Sequence, residues 1–273
     1  MFRIFLLLPL LLAACSSPAV SQSPYPQNPA VSDAQGHPRD SGTFYFPRAD
    51  SVSKPDLTAN QLNIEEQNTQ ATYCQLVFGS ASANLYCFGA PVLSNYYLGH
   101  DTYRFLWLRA FHQPVLLTLT QQANGATLQT QFLTKSASAP RLALILFIPP
   151  TASPDEAARL QREFDLKQKD PKVLRELAER NRPAERLPQL ETTHVLTPQQ
   201  WQQFLHLVQQ SGFHQQTSCE ISTVMDGAGW LLEAHTAGGY HAVYRHSPDK
   251  PDSFRRACEY LLDLSSARKE DRY

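Results

Sequence analysis

The stretch DGAGWLLEAHTAGGYHAVYRHSP, residues 226–248, has the pattern of two strands joined by a tight glycine turn, and it decides how the C-terminal part of the chain is predicted to fold. Apolar and polar residues alternate on both sides of Gly238-Gly239, which is typical of a half-buried β-hairpin. With the turn centred on Ala237, one face of the predicted hairpin is apolar and is expected to join the core. That face consists of Trp230, Leu232, Ala234, Tyr240, Ala242 and Tyr244.

The opposite face of this hairpin carries Glu233, His235, His241 and Arg245, with Glu233 predicted directly across from His241. Opposed side chains lie about 5 Å apart at Cβ, so a carboxylate–imidazole hydrogen bond is within reach. One hypothesis is catalytic: Glu233 orients His241 as a general base and Arg245 binds an anionic group. A second is a metal site formed by Glu233, His235 and His241. The third is an ordinary cross-strand pair in water, worth under ~1 kcal/mol, and it is favoured because the chain has no nucleophile motif of the G-x-S-x-G type.

The elements around the hairpin are predicted from capping residues and apolar spacing. Thr197-Pro198-Gln199-Gln200 combines an N-cap, a first-turn proline and a capping-box glutamine, and therefore begins a helix. Residues 219–225 have the composition of a strand, and residues 252–264 have the spacing of an amphipathic helix. Residues 191–265 are thus predicted to form a helix, three antiparallel strands and a helix, and residues 266–273 a polar tail.

The preceding part of the chain, residues 43–150, is predicted to be mainly β. Residues 103–111 (YRFLWLRAF) are apolar on both faces, which is typical of a strand buried on both sides. Asn124-Gly125 is a strong hairpin signal between two further strands, at 114–121 and 127–132. A fourth strand is predicted at 141–148 (RLALILFI), and two short strands at 73–78 and 84–88. The fold class is therefore α+β, with an antiparallel β-meander half packed against the helix-three-strand-helix half.

Between the two halves, residues 151–190 are predicted to form a charged helical connector. They carry 9 basic and 8 acidic residues, with Leu160, Phe164, Val173 and Leu177 at helical spacing. Ser153-Pro154 supplies a helix start, and Asp170-Pro171 a break. Balanced charge favours one or two solvent-facing helices, and a partner-binding helix is the alternative interpretation.

The N-terminus has the features of a secretory signal at residues 1–14. Arg3 precedes an apolar run of 11 residues, which as a helix rises only about half of the ~30 Å hydrocarbon core. Leu12-Ala13-Ala14-Cys15 resembles a bacterial lipobox, the motif at which the signal is cleaved before a lipidated cysteine. The resemblance implies that Cys15 becomes the mature N-terminus and carries acyl chains such as palmitate. Because Ser16 and not an aspartate follows, it also implies an anchor in the outer membrane, and the lack of an acidic run after Cys15 favours the periplasmic face.

Residues 15–42 are predicted to be a lipidated, disordered tether. Residues 16–42 hold five prolines and six serines and no aliphatic cluster, so they cannot offset their ordering entropy by burial. The folded domain is expected to begin near residue 43, where the aromatic stretch TFYFP starts.

Four cysteines remain besides Cys15, and an even number in an oxidising compartment favours disulfides. Proximity in sequence favours the pairs Cys74–Cys87 and Cys219–Cys258, with four free buried thiols as the alternative. The chain carries 24 basic and 25 acidic residues, and loss of Arg3 with the signal leaves 23 basic ones. A net charge near neutrality argues against nucleic acid as a partner. No motif indicates a cofactor.

The elements D-G-x-x-W-x-L-E and Y-H-x-V-x-R-x-S-P within residues 226–248 resemble a pattern found in uncharacterised exported bacterial proteins. That resemblance implies a recurring hairpin-plus-helix unit and no activity. Two functional hypotheses follow. The first is a lipid-anchored envelope protein, a non-catalytic binding or structural module for another envelope protein, and it predicts an unusual exposed apolar surface. The second is a small hydrolase or metal-dependent enzyme that uses Glu233, His235 and His241, and it predicts that these three converge in a pocket.

Overall fold

In the computed structural model, residues 27–47, 61–139, 142–222 and 226–273 are described, and they contain one sheet and five α-helices. The helices are α1 (Gln61–Cys87), α2 (Pro154–Lys167), α3 (Pro171–Arg180), α4 (Pro198–Gln210) and α5 (Ser253–Leu264). The strands are β1 (Thr102–Arg109), β2 (Val115–Gln122), β3 (Gly125–Phe132), β4 (Thr192–Leu196), β5 (Ala228–Thr236) and β6 (Gly239–His246). The predicted signal peptide and the lipobox at Cys15 lie outside the described residues.

The six strands form one antiparallel sheet in the order β4-β3-β2-β1-β5-β6. The consecutive strands β1, β2 and β3 make the predicted meander, and β5 and β6 make the predicted hairpin. The predicted α+β class is confirmed. Because β5 pairs directly with β1, the two predicted halves are joined in a single sheet.

The sheet is buried on both faces at its centre, as the sequence of β1 predicts. Phe105 and Trp107 point to a core that includes Phe204 of α4 and residues of α5. Leu106 points to the opposite side, where Leu85 of α1 covers it. We call these two sides the α4–α5 face and the α1 face.

The predicted helix starts are confirmed by capping hydrogen bonds. At α4, the Thr197 hydroxyl accepts from the Gln200 backbone N–H, and the Gln200 side chain accepts from the Thr197 N–H, so the capping box is complete. Ser153 caps α2, and Asp170 caps α3 after the predicted break. Neither α2 nor α3 contains a buried residue, which fits the predicted solvent-facing connector.

The predicted β2–β3 hairpin is present, but its turn differs by one position. Gln122 pairs with Gly125, so Ala123 and Asn124 form the two-residue turn. Neither turn residue has a positive φ, whereas Gly125, the first residue of β3, has φ +114°, and a Cβ there would lie 2.3 Å from the carbonyl oxygen of Leu196. Glycine is therefore required at position 125 for both conformation and space.

The two short strands predicted at 73–78 and 84–88 are wrong, because residues 61–87 form α1. The apolar positions Val77, Ala81, Leu85 and Phe88 recur at helical spacing and pack on the α1 face. Each predicted strand is only five or six residues long. A window this short does not distinguish the apolar spacing of a helix from that of a strand.

The strands predicted at 141–148 and 219–225 are also wrong. Residues 142–148 are in no strand, and the place beside β3 is taken by the short, polar β4, which the sequence did not predict. In the second segment, Cys219 makes only an isolated parallel bridge with Tyr244, and residues 223–225 lie outside the described residues. Apolar content predicts a strand, but the choice of neighbour depends on the rest of the sheet.

The disulfide joins Cys74 to Cys219, so both predicted pairings, Cys74–Cys87 and Cys219–Cys258, are wrong. Cys87 and Cys258 are free thiols. The bond ties α1 to the segment before β5 across 145 residues of sequence. Sequence proximity failed as a guide because the fold brings together residues far apart in the chain.

The predicted tether is wrong for residues 27–42, which are ordered against the domain. The Asn95 side-chain amide donates to the Asn28 carbonyl at 2.7 Å and to Ser32 Oγ at 2.8 Å. Gly36 adopts φ +83° and lies against Pro91, where a Cβ would be 2.7 Å from the proline Cβ. Hydrogen bonds hold this polar segment, and Val31 packs against the core of the α1 face. A composition poor in apolar residues therefore does not make these residues disordered.

The predicted polar tail, residues 266–273, also contacts the domain. Ala267 is fully buried, and Arg109 Nη1 lies 2.7 Å from Glu270 Oε2. The Tyr273 hydroxyl is 2.9 Å from His112 Nδ1. Among the helices that the structure describes, none is both long and apolar enough to span a bilayer.

Candidate functional site

A buried ion pair between Arg104 and Glu233 lies at the centre of the α1 face. The two residues are directly paired on β1 and β5, and each side chain is only 1% exposed. Arg104 Nε donates to Glu233 Oε1 at 2.6 Å, and Nη1 donates to the Pro91 carbonyl at 2.6 Å. Nη2 also lies 2.5 Å from Oε1 but makes no hydrogen bond, so its attraction is electrostatic. The pair fastens two strands of the sheet to the loop at residue 91.

The second carboxylate oxygen of Glu233 is also used inside the protein. Its Oε2 accepts a hydrogen bond from the Tyr240 hydroxyl at 2.8 Å. The Arg104 guanidinium lies 5.9 Å from the centroid of the Tyr45 ring, which covers it. Both oxygens of Glu233 are therefore engaged with neighbouring side chains, as buried charge requires.

His235 continues the same buried network two residues along β5. Its Nδ1–H donates to the Leu93 carbonyl, which fixes the tautomer because a carbonyl can only accept. The ring lies 5.4 Å from the Tyr97 ring and 5.9 Å from the Tyr240 ring, centroid to centroid. Burial lowers the pKa of His235, which favours the neutral imidazole. Its role here is to hold the loop at residue 93 against the sheet.

His241 and Arg245 lie on the opposite side, the α4–α5 face. The His241 ring is 5.1 Å from Phe213, and its Nε2 is 3.1 Å from the Gln216 carbonyl. Arg245 Nη1 donates to the Thr217 carbonyl at 3.0 Å, and Nη2 lies 3.0 Å from Glu220 Oε1. These two side chains hold residues 216–220 beside β6.

The predicted pairing of Glu233 with His241 is wrong because the hairpin register differs by one residue. Glu233 pairs with Ala242, and Ala234 pairs with His241. The turn is the two-residue Ala237-Gly238, not a turn centred on Ala237 alone. A shift of one residue moves every side chain of one strand to the other face. Glu233 and His235 are therefore separated by the sheet from His241.

The arrangement supplies neither a catalytic centre nor a metal centre of the predicted kind. The described part of the chain holds no group of three or more histidine, cysteine, aspartate or glutamate residues placed to bind a metal ion. A shallow depression of about 690 Å³ lies along α1, but the residues lining it, including Phe44, Leu76 and Ser80, supply no acid or base. No protein-family model, curated protein or solved structure matches the chain. Function has to be inferred from surface features instead.

The most unusual surface feature is an exposed stretch of chain whose first residues were predicted to form a fourth strand. Residues 142–182, which we call the arm, contain no buried residue in a stretch that includes α2 and α3. The arm begins with a run of seven uncharged apolar residues, LALILFI, at 142–148, which we call the apolar segment. Ile145 is 84% exposed and Phe147 is 74% exposed. A run this apolar would be expected in the core, not in water.

The arm is attached to the domain by a defined base. Leu133 and Arg186 form an antiparallel bridge, and the Thr134 N–H donates to the Glu185 carbonyl at 2.8 Å. Further out, the Asn181 side chain pairs with the backbone of Leu142 through two hydrogen bonds of 2.8 Å. These hydrogen bonds fix the start of the apolar segment to the end of α3. In this position Ile145 and Phe147 are exposed to solvent.

The histidines on both faces make stability depend on pH. Burial lowers the pKa of His235 and of His241, whereas the unfolded chain titrates near 6.5. Between the folded value and about 6.5 the unfolded chain binds more protons, so the free energy of unfolding falls as pH falls through this window. We expect a lower urea midpoint at pH 5.5 than at pH 7.5.

Single substitutions separate this effect from general acid sensitivity. His241→Gln should reduce the difference between the two midpoints. His206→Gln, at an exposed position of α4, should leave it unchanged. Equal midpoints at both pH values in the wild-type chain would contradict the lowered pKa of these two imidazoles.

Proposed function

We propose that this protein is a lipid-anchored component of the cell envelope whose folded domain binds another envelope component through the arm. The domain then acts as a binding module and not as an enzyme. The anchor is Cys15, and the partner-binding surface is the apolar segment with the arm that carries it.

The single observation that carries this proposal is the exposure of the apolar segment. Ile145 and Phe147 are more than 70% exposed in a chain that fully buries side chains as large as Trp107 and Trp230. Burying one large apolar side chain contributes about 1.5–3 kcal/mol. Contiguous exposed apolar surface on a soluble domain usually marks an interaction site. A partner that covers this segment would bury these side chains, and their burial would stabilise the complex.

The anchor is supported by the sequence of the N-terminus. An 11-residue apolar run is too short to span a bilayer, and Leu12-Ala13-Ala14-Cys15 follows the lipobox pattern. Two or three acyl chains on one cysteine hold a protein at a membrane nearly permanently, whereas a single chain does not. Residues 15–26 would then connect the lipid to residues 27–47, the first stretch of chain that the structure describes. Ser16 favours the outer membrane, and the lack of an acidic run after Cys15 favours a domain that faces the periplasm.

The enzymatic alternative has no specific observation in its favour. Glu233 uses both carboxylate oxygens inside the protein, and His241 lies across the sheet from it. A general base must be within hydrogen-bond reach of its substrate, directly or through one water. Glu233 is fully buried and meets no such requirement.

The proposal is tested by site-specific photo-crosslinking in the exporting cell. Benzoylphenylalanine at position 147 should form adducts with an identifiable envelope component, because Phe147 lies in the proposed interface. The matched control is position 111, since Phe111 is 73% exposed but lies outside the arm. It should form none of these adducts. The same preparation should yield an N-terminal peptide that begins at an acylated Cys15.

Two outcomes would contradict the proposal. Identical adducts at positions 147 and 111 would show that exposure alone, and not the arm, determines contact. A mature chain that begins upstream of Cys15, or whose first peptide carries no added mass, would remove the anchor. Cys15→Ser separates these outcomes, because it should abolish the lipid while leaving the arm intact.

A further inference from the structure

The two edges of the sheet differ in how they are protected. At β6, the Tyr244 N–H donates to the Ser218 carbonyl at 2.7 Å, and the disulfide at Cys219 holds this covering segment in place. At β4, the backbone of residues 193–195 has no hydrogen-bond partner among the described residues except β3. Val195 on this edge is 80% exposed. The β4 edge is therefore open.

β4 is short, at five residues, but its open edge carries neither the charged residues nor the proline that usually prevent another strand from adding to it. Natural edge strands carry charged residues, proline or bulges. The sequence of β4 is TTHVL, with no formal charge at neutral pH and no proline. Its backbone groups are available to an incoming strand.

The apolar segment has the complementary property of a strand without a sheet. Within the described residues, the backbone groups of residues 143–148 make no hydrogen bonds. Exposure alternates from residue 143 to residue 147, and this period of two is typical of an extended strand. Leu144 and Leu146 are half-buried, while Ile145 and Phe147 are largely exposed.

We propose that the apolar segment of one copy adds as a strand to the open β4 edge of a second copy. The inference rests on the proposed function, since it names the partner of the arm. Strand addition would satisfy the backbone groups on both sides and cover Val195 with apolar side chains. Charge also permits it. Neither the apolar segment nor β4 carries a formal charge, so pairing desolvates no ion.

The unpaired backbone also argues against a lipid surface as the occupant. Hydrocarbon cannot hydrogen-bond exposed N–H and C=O groups, so non-helical backbone enters it only when paired or covered by protein. The apolar segment would carry six residues of unpaired backbone into the bilayer, whereas the edge of another sheet supplies partners for them. The edge strand of another protein's sheet is therefore a better partner for the apolar segment than a bilayer.

The donor and the acceptor are different patches of the same molecule, so the interface is heterologous. Such an interface continues into a ring or an open chain unless one partner site is blocked. This property gives a direct test by complementation. Ile145→Asp blocks the donor and leaves the acceptor intact, and Val195→Lys does the reverse.

The test uses the mature acylated chain in mild detergent, analysed by sedimentation and native mass spectrometry. The wild-type chain should assemble beyond a dimer with rising concentration. Each variant alone should be monomeric, its self-association weakened by roughly tenfold or more. An equimolar mixture of the two variants should form a heterodimer and nothing larger. Leu76→Lys, at an exposed position of α1 that belongs to neither patch, should assemble like the wild type.

Several results would overturn the proposal. A wild-type chain that stays monomeric at all concentrations would do so, as would a Val195→Lys variant that still assembles. Photo-adducts from position 147 to lipid, in vesicles of phosphatidylethanolamine and phosphatidylglycerol, with none between copies would favour the membrane. Adducts to a different envelope protein, with a monomeric pure chain, would remove the second copy as partner and leave the proposed function standing.

Discussion

Glu233→Gln is expected to lower the free energy of unfolding by about 3–5 kcal/mol, because it leaves the Arg104 guanidinium buried without its counter-charge. Arg104 is 1% exposed and cannot turn to water without breaking its bond to the Pro91 carbonyl. The glutamine side chain has only one oxygen. If this oxygen accepts from the Tyr240 hydroxyl, the amide NH2 faces Arg104 and offers it no acceptor. Typical domains have about 5–15 kcal/mol of stability, so this loss is large. Guanidinium unfolding followed by circular dichroism measures it.

The double variant Arg104→Met/Glu233→Met distinguishes a buried pair from general core damage. Removing both charges together should cost much less than the sum of the single losses, because no unpaired ion remains. Glu176→Gln, on exposed α3, is the matched control and should leave stability within about 0.5 kcal/mol. A Glu233→Gln protein with wild-type stability would contradict the structural role. If it also lost an activity, the enzymatic hypothesis would regain support.

Breaking the Cys74–Cys219 disulfide is expected to cost about 2–5 kcal/mol. The bond closes a loop across 145 residues, so it removes many conformations from the unfolded chain. It also fixes α1 to the segment that covers the β6 edge. Unfolding of the wild-type chain with and without reductant measures the contribution, and Cys74→Ser/Cys219→Ser should match the reduced protein.

The two free cysteines supply the control for this experiment. Cys87→Ser should retain the full response to reductant, because Cys87 is not part of the bond. Burial raises the pKa of the Cys258 thiol well above its usual value, so this thiol stays protonated and unreactive. Peptide mapping without reductant should recover Cys74 linked to Cys219. Recovery of Cys74 linked to Cys87 would contradict the structure.

The features that the sequence predicted correctly depend on neighbouring residues. The capping box of Thr197 and Gln200 satisfies helix N–H groups within one turn, so four adjacent residues suffice to locate the start of α4. The same holds for Ser153 at α2. The two-sided burial of β1 follows from continuous apolar sequence, because such a strand is stable only when both faces are covered.

The candidate site failed on register, which adjacent residues specify poorly. The turn sequence HTAGGY accommodates either a two-residue turn or a turn centred on Ala237. In the structure, Glu233 reaches Arg104 on β1, a residue that no pattern within 226–248 reveals. The buried partner on another strand decides which face Glu233 occupies. An arginine within the apolar run 103–111 was the available signal, since a buried arginine requires an anion.

The remaining errors concern elements whose position depends on distant residues. Residues 141–148 carry a strong strand signal, but β4 occupies the edge beside β3 that they were expected to fill. The disulfide likewise joins an early helix to a late segment, which spacing between cysteines does not encode. In both cases the local pattern describes what a segment favours, and the rest of the fold determines where it goes.

The position of β1 between β2 and β5 has a consequence for the timing of folding. Arg104 and Glu233 are 129 residues apart in sequence. The pairing of β1 with β5 therefore cannot form until the last third of the chain has been synthesised. Contacts of such long range form late and slowly. A polypeptide that cannot complete its central strand pairs until synthesis is nearly over remains unfolded for longer, as the proposed location in the cell envelope would require during export.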